Sequence, residues 1–248
     1  MFNSRGGFHA KELSIMDVNK YAQEFWENGF IVLEDFFDEN MMDTLNAIIL
    51  DHYGLEPKWE HSEEFLQKSA TEVIPWFPFR DGNNVFDIIE KDARVLALTE
   101  AVLGANWQKL YFMAMFSQQG TKGQAWHQDS PPENHQHFNL NRLFYTHDIN
   151  EITGGQTVVF PKTHRGGAIS KGDPHEDLEG QVVLSPKKGT LIILHGHLWH
   201  RVLAVKGKYR LSANSRAIPQ HTPEDVTDIA VYRNIRYKFS TNELLEER

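Results

Sequence analysis

Trp126-His-Gln-Asp129 sets an imidazole and a carboxylate two positions apart, just after a tryptophan and just before two prolines. In an extended strand, residues i and i+2 share a face about 6.6 Å apart along the chain, close enough for both side chains to reach a single ion. The tripeptide alone is weak evidence. Thirteen histidines and fourteen aspartates in 248 residues make roughly 0.7 chance copies of His-x-Asp expected, and the chain holds two, His127-Gln-Asp129 and His175-Glu-Asp177. Their surroundings differ. The first follows a strand-like run and Trp126, whereas the second lies in KGDPHEDLEG, a polar turn without apolar support that reads as a surface loop.

Two histidines and one carboxylate on one face of a metal, with the other positions open, form the donor set of a non-haem iron(II) oxygenase. A third ligand must then come from a later strand. LIILHGHLWHRV offers His195, His197 and His200 at the end of a run that leaves a Gly189-Thr190 turn. If 2-oxoglutarate is the co-substrate, its distal carboxylate needs a fixed cation, and the planar fork of an arginine suits it. Arg210 follows His200 by ten residues, room for one turn and a return on the neighbouring strand. Ser212 would share the face of Arg210, and Thr157 is a further hydroxyl for the same carboxylate.

The totals narrow the classes. Twenty-five basic against thirty-four acidic side chains, a net charge of -9, disfavour nucleic acid or an anionic membrane as the main partner. Hydrophobic residues at 40% and charged residues at 24% are ordinary for a soluble domain. There is no cysteine, which excludes disulfides, iron–sulfur clusters and thiol catalysis, so any metal must be held by nitrogen and oxygen. The start of the chain has no apolar signal-like core, and no stretch approaches the ~20 apolar residues of a bilayer span. A cytoplasmic protein acting on a small molecule is expected. The sequence specifies no oligomeric state.

The elements that must position these residues fall into two textures within one expected domain, 1–248. Residues 1–105 are helix-rich. Ser14 to Asp17 resembles a capping box ahead of VNKYAQEFWENG, FIVL (30–33) reads as a strand, and helices fit Asp38 to Tyr53 and Asp92 to Leu103, each stopped by a glycine. From about 106 to 240, LYFMAMFSQ, NRLFYTHDI, QTVVF, QVVL, GTLIIL and YRLSANSRA are short apolar or alternating runs between turn residues, the pattern of an antiparallel β core with helices packed outside. VIPWFPFRDG (73–82) reads as a loop over the substrate, which makes Trp76, Phe79 and Arg80 candidate substrate contacts. His135 and Arg142, downstream of the His-x-Asp, are two more.

The string from WHQD through NRLFYTHDINEITGGQTVVFPKTHRGG to GTLIILHGHLWHRVLAVKGKYRLS, with the earlier ENGFIVLEDFF, resembles the phytanoyl-CoA dioxygenase family of iron(II)- and 2-oxoglutarate-dependent oxygenases over about residues 20–216. Lys162-Thr163 stand where the family has Gly-Ser. The resemblance implies a mainly β fold with helices outside, a double-stranded β-helix of the jelly-roll, cupin-like kind. It also implies His127, Asp129 and His200 as iron ligands and Arg210 as the 2-oxoglutarate anchor, leaving His195 and His197 as structural residues. The implied cofactors are Fe(II), 2-oxoglutarate and O2, and the implied reaction is hydroxylation with release of succinate and CO2. Iron halogenases of this fold vacate the carboxylate position for a halide, and Asp129 fills it. Two other readings use the same ligands: a cupin-like metal-binding barrel without oxygenase activity, which would not need Arg210, and a non-catalytic sensor of iron and 2-oxoglutarate.

Overall fold

Two antiparallel sheets face each other, and the chain crosses repeatedly between them. The computed structural model describes residues 15–54, 57–58, 61–241 and 243–248. The helices are α1 (Ile15–Asn28), α2 (Glu39–Tyr53), α3 (Glu63–Ser69), α4 (Asp87–Glu90), α5 (Ala93–Leu103) and α6 (Glu224–Asp228). The strands are β1 (Phe30–Leu33), β2 (Ile74–Trp76), β3 (Gln108–Gln118), β4 (Gln124–Gln128), β5 (Leu140–Phe144), β6 (Thr157–Val159), β7 (Val182–Leu184), β8 (Leu191–His195), β9 (His200–Val202), β10 (Tyr209–Ile218), β11 (Ile229–Tyr232), β12 (Ile235–Lys238) and β13 (Glu243–Glu247). One sheet runs β1-β8-β5-β10-β3-β2, and the other runs β13-β12-β11-β4-β9-β6-β7. This is a double-stranded β-helix. Among the described residues no helix is long and apolar enough to cross a membrane.

The helix ends follow local chemistry. Asp38 caps α2 by accepting from the Met41 amide, Asp92 caps α5 through the Arg94 amide, and Gly54 and Gly104 end the two helices. The Ser14 end of the expected capping box lies outside the described residues. The helix-rich first part also supplies both edges of the six-stranded sheet, β1 from FIVL and β2 from the stretch read as a loop. Beyond YRLSANSRA, α6 and β11 to β13 extend the other sheet.

The six-stranded sheet is largely buried on both faces, so both faces of β3 and β8 carry apolar residues, whereas β10 sets polar residues on the face between the sheets. Phe112, Ala114 and Phe116 of β3 pack with Phe25, Leu45 and Leu98 in the helical layer, whereas Met113 and Met115 point between the sheets with Leu143 and Leu194. The same parity sorts β10: Leu211, Ala213 and Ala217 face the helices. Each fully buried side chain of this size contributes about 1.5–3 kcal/mol.

Strand parity corrects two of the expected substrate contacts. Arg142 lies on the helix face of β5, where it donates to Thr99 Oγ1 (3.1 Å) and to the Ser215 carbonyl (3.1 Å) and hydroxyl, and pairs with Glu90 (3.5 Å). Its neighbour Asn141 is the residue that faces between the sheets. Trp76 likewise turns to the helical core: it stacks on His52 (3.9 Å between centroids) and donates through Nε1 to Asp81 (2.7 Å). Arg142→Met is therefore expected to destabilise the fold by about 1–3 kcal/mol, the cost of leaving the buried Ser215 and Thr99 acceptors unpaired while Glu90 keeps Lys109 at 3.3 Å, and metal affinity stays at the wild-type value. Urea unfolding and a Mn(II) titration of the same variant check both halves.

Candidate active site

His127 and His200 are cross-strand partners in the β4–β9 register, and their ring centroids are 4.1 Å apart. Asp129 follows β4 directly, and its amide donates to the Gly196 carbonyl (2.7 Å), which turns its side chain back toward the two rings. His127 Nε2 is 3.7 Å and His200 Nε2 3.3 Å from the Asp129 carboxylate. One ligand atom from each residue lies within 4.8 Å of the others, and all three residues are buried. The alternate residues face outward. Trp126 donates to the Glu176 carbonyl (2.8 Å), and the Gln128 amide ties the Ile169 amide to the His197 carbonyl.

These residues fit a transition-metal ion. Each imidazole engages a backbone carbonyl through Nδ1, His127 to Ala125 (2.7 Å) and His200 to Leu198 (2.8 Å), so each tautomer leaves the Nε2 lone pair free on the Asp129 side. Burial, together with the neighbouring His200, pushes the His127 pKa down to about 3, which keeps it in the neutral, ligating form. Burial would raise the Asp129 carboxyl, but Arg216 and His200 outweigh it and hold the group well below the usual carboxylate range. Arg216 Nη2 donates to Asp129 Oδ1 (2.8 Å), Asn141 Nδ2 donates to Oδ2 (2.7 Å), and Asn214 Nδ2 donates to Asn141 Oδ1 (2.8 Å).

Across the cavity from His200, Arg210 is buried in β10. The chain does not return on a strand beside β9, as the ten-residue interval suggested; it crosses to the facing sheet, where β10 pairs with β3 and β5. Arg210 donates to the Gly155 carbonyl (2.7 Å), Ser212 Oγ (2.9 Å) and Thr157 Oγ1 (3.4 Å), and Thr157 is bonded in turn to the Tyr145 hydroxyl (2.7 Å). The Tyr145 hydroxyl is a further neutral partner, and among the described residues Arg210 has no carboxylate partner. Gly155 has φ +70°, and a Cβ there would stand 2.7 Å from Arg210 Cδ, so the second glycine of the Gly-Gly pair is required by the arginine's path.

One cavity is lined by His127, Asp129 and His200, by Thr157 and Arg210, and by Asn141, Asn214 and Arg216. It opens outward past His61, Pro75, Thr227, Asp228 and Phe239, which also line a wider vestibule that contains Phe79 and Arg80. His135 is exposed in a separate surface groove with Glu133 and Arg236. His195 and His197 lie outside the cavity. His195 is stacked on Phe138 (3.7 Å), and its Nδ1 accepts from the His197 amide. Tyr145, Asn141, Asn214, Arg216 and Tyr232, the last stacked on His127 at 5.2 Å, were not anticipated. Arg216 was within reach of the pattern, since Arg-x-Ser-x-Asn-x-Arg continues one strand face at a period of two.

The family profile for phytanoyl-CoA dioxygenase (PhyH) matches residues 25–209. The chain belongs to that family. With the His-Asp-His group in its cavity, it is an oxygenase that depends on iron(II) and 2-oxoglutarate. Arg210 is the first residue past the matched span. No curated protein matches the chain in sequence. Among solved structures, the epimerase SnoN in complex with Fe3+, alpha ketoglutarate and nogalamycin RO is similar at a TM-score of 0.62 and 15% identity, covering 89% of this chain and 87% of SnoN. HygX from Streptomyces hygroscopicus with nickel, 2-oxoglutarate and hygromycin B bound gives 0.64 and 12%, covering 83% and 88%. The carbocyclase SnoK from nogalamycin biosynthesis gives 0.63 and 13%, covering 92% and 89%. At these identities the likeness establishes the shared fold.

Gly155→Ala is expected to displace the Arg210 side chain and weaken 2-oxoglutarate binding at least tenfold, about 1.4 kcal/mol, while leaving Mn(II) affinity unchanged. Calorimetric titration of the Mn(II)-loaded variant reads both constants.

Proposed function

We propose that this family member hydroxylates a small organic molecule, with His127, Asp129 and His200 holding iron(II) and Arg210 anchoring the distal carboxylate of 2-oxoglutarate. The observation that carries the reading is Arg210 itself. Its guanidinium is buried and meets only neutral oxygens, in the cavity that also holds the three ligands. A buried cation without a counter-charge is costly, and a dicarboxylate chelated at the metal end supplies the missing negative charge.

Iron(II) and 2-oxoglutarate together supply the oxidising chemistry, consuming dioxygen and releasing succinate and carbon dioxide. The chain's own residues bind and orient. Ser212 and Thr157 hold the guanidinium fork in place, and Tyr145 fixes the Thr157 hydroxyl. Apolar walls from Met113, Met115, Leu143 and Leu194 keep water from the reacting centre. The substrate enters through the vestibule, so Phe79 and Arg80 stay as candidate contacts, whereas His135, Trp76 and Arg142 lie away from the path. That SnoN and HygX are described with nogalamycin RO and hygromycin B bound supports a small-molecule substrate. SnoN and SnoK, an epimerase and a carbocyclase, share the fold, so the product must be identified and not assumed to be an alcohol.

The test follows succinate formation from 2-oxoglutarate with iron(II), ascorbate and air. Wild type should form succinate, His200→Ala should not, and Arg210→Ala should need about a hundredfold more 2-oxoglutarate, some 3 kcal/mol. With substrate, mass spectrometry should find a product heavier by one oxygen atom. Failure of the anaerobic iron protein to bind 2-oxoglutarate would favour the barrel without oxygenase activity.

A further inference from the structure

The carboxylate of Asp129 has a cationic partner within the protein itself. Arg216 Nη2 is 2.8 Å from Oδ1, and its guanidinium lies over the Tyr111 ring (5.3 Å) with 11% of the side chain exposed. Arg216 lies six residues beyond Arg210 on the same strand and also lines the cavity, so β10 brings two guanidinium groups to it. Only one of the two has an acidic partner. With Asn141 on Oδ2, both Asp129 oxygens accept a donor, and the two donors fix the orientation of the carboxylate.

The charges have opposite consequences for the two ligands. A divalent cation bound to Asp129 meets a fixed positive charge bonded to that same carboxylate, and like charges in a poorly screened site repel. The dianion that follows meets an attraction from the same group. We infer that Arg216 is a positioning residue that orients the Asp129 carboxylate and trades metal affinity for 2-oxoglutarate affinity. This rests on the iron and 2-oxoglutarate reading above. A brace without an electrostatic role would shift both affinities in the same direction when removed; a charge trade shifts them in opposite directions.

The experiment titrates the full-length protein with Mn(II) alone, and then the Mn(II)-loaded protein with 2-oxoglutarate, for wild type, Arg216→Lys and Arg216→Gln. Gln keeps a donor and removes the charge; Lys keeps the charge. Arg216→Gln is expected to bind Mn(II) about tenfold more tightly and 2-oxoglutarate about tenfold more weakly, with Arg216→Lys near wild type in both. Thermal unfolding gives a second readout, because a ligand that binds the folded state stabilises it by mass action: Mn(II) should raise the unfolding temperature more in Arg216→Gln than in wild type, and a variant that folds only when Mn(II) is supplied reads the same way. Affinities that fall together, or do not move, or a variant that stays unfolded with Mn(II), would overturn the trade. Wild type that takes up neither Mn(II) nor 2-oxoglutarate would instead sink the reading of the site on which the trade depends.

Discussion

The wall that faces the His-Asp-His group depends on the two-residue period of β10. Arg210, Ser212, Asn214 and Arg216 face between the sheets, and Leu211, Ala213, Ser215 and Ala217 face the helices. A slip of one residue would exchange the two sets, burying four polar groups under the helical layer and removing both arginines from the cavity. The strand cannot slip easily, because ten register partners on β3 and five on β5 hold it in the middle of its sheet. The packing of small and apolar side chains against the helices is therefore what aims the arginines, and core stability and site geometry are one constraint.

The electrostatics follow from that placement. Burying two guanidinium groups and a carboxylate in one cavity is expensive unless each charge is answered. Arg216 and Asp129 answer each other at 2.8 Å, while Arg210 is left with a carbonyl and hydroxyls. The imbalance is local and not a feature of the chain, whose net charge is -9. In an acidic chain, the positive charge is thus concentrated in the one cavity that also holds the His-Asp-His group.

Much of this was legible in the residues. His-x-Asp, the later histidine and the arginine ten positions on are short-range patterns whose spacing carries geometric meaning, and the glycine-stopped helices read the same way. What was not legible is which face a strand residue takes when both faces are buried. Trp76 and Arg142 look like pocket residues by type, yet parity turns them to the helices and presents Pro75 and Asn141 instead. The hydrophobic pattern that normally reveals parity is absent from a doubly covered strand. The path from His200 to Arg210 was hidden for a related reason, since a ten-residue interval allows either a hairpin or a crossing to the other sheet.

The second His-x-Asp shows how far identical spacing can diverge in use. The His175 carbonyl and the Asp177 carboxylate both accept from Arg201, whose guanidinium lies 5.2 Å from the Trp126 ring, and Arg233 holds the same loop through the Ser170, Lys171 and Asp173 carbonyls. The loop is thus a strap clamped against the back of β4, and Trp126 donates to its Glu176 carbonyl. One tripeptide supports from outside the strand that delivers the other. Part of the cavity wall has a different origin: Thr227, Asp228, Phe239 and Tyr232, the last stacked on His127, come from the C-terminal elements, beyond the span matched by the family profile. The matched span thus carries the ligands His127, Asp129 and His200 and most of the apolar lining, while residues after it complete the cavity.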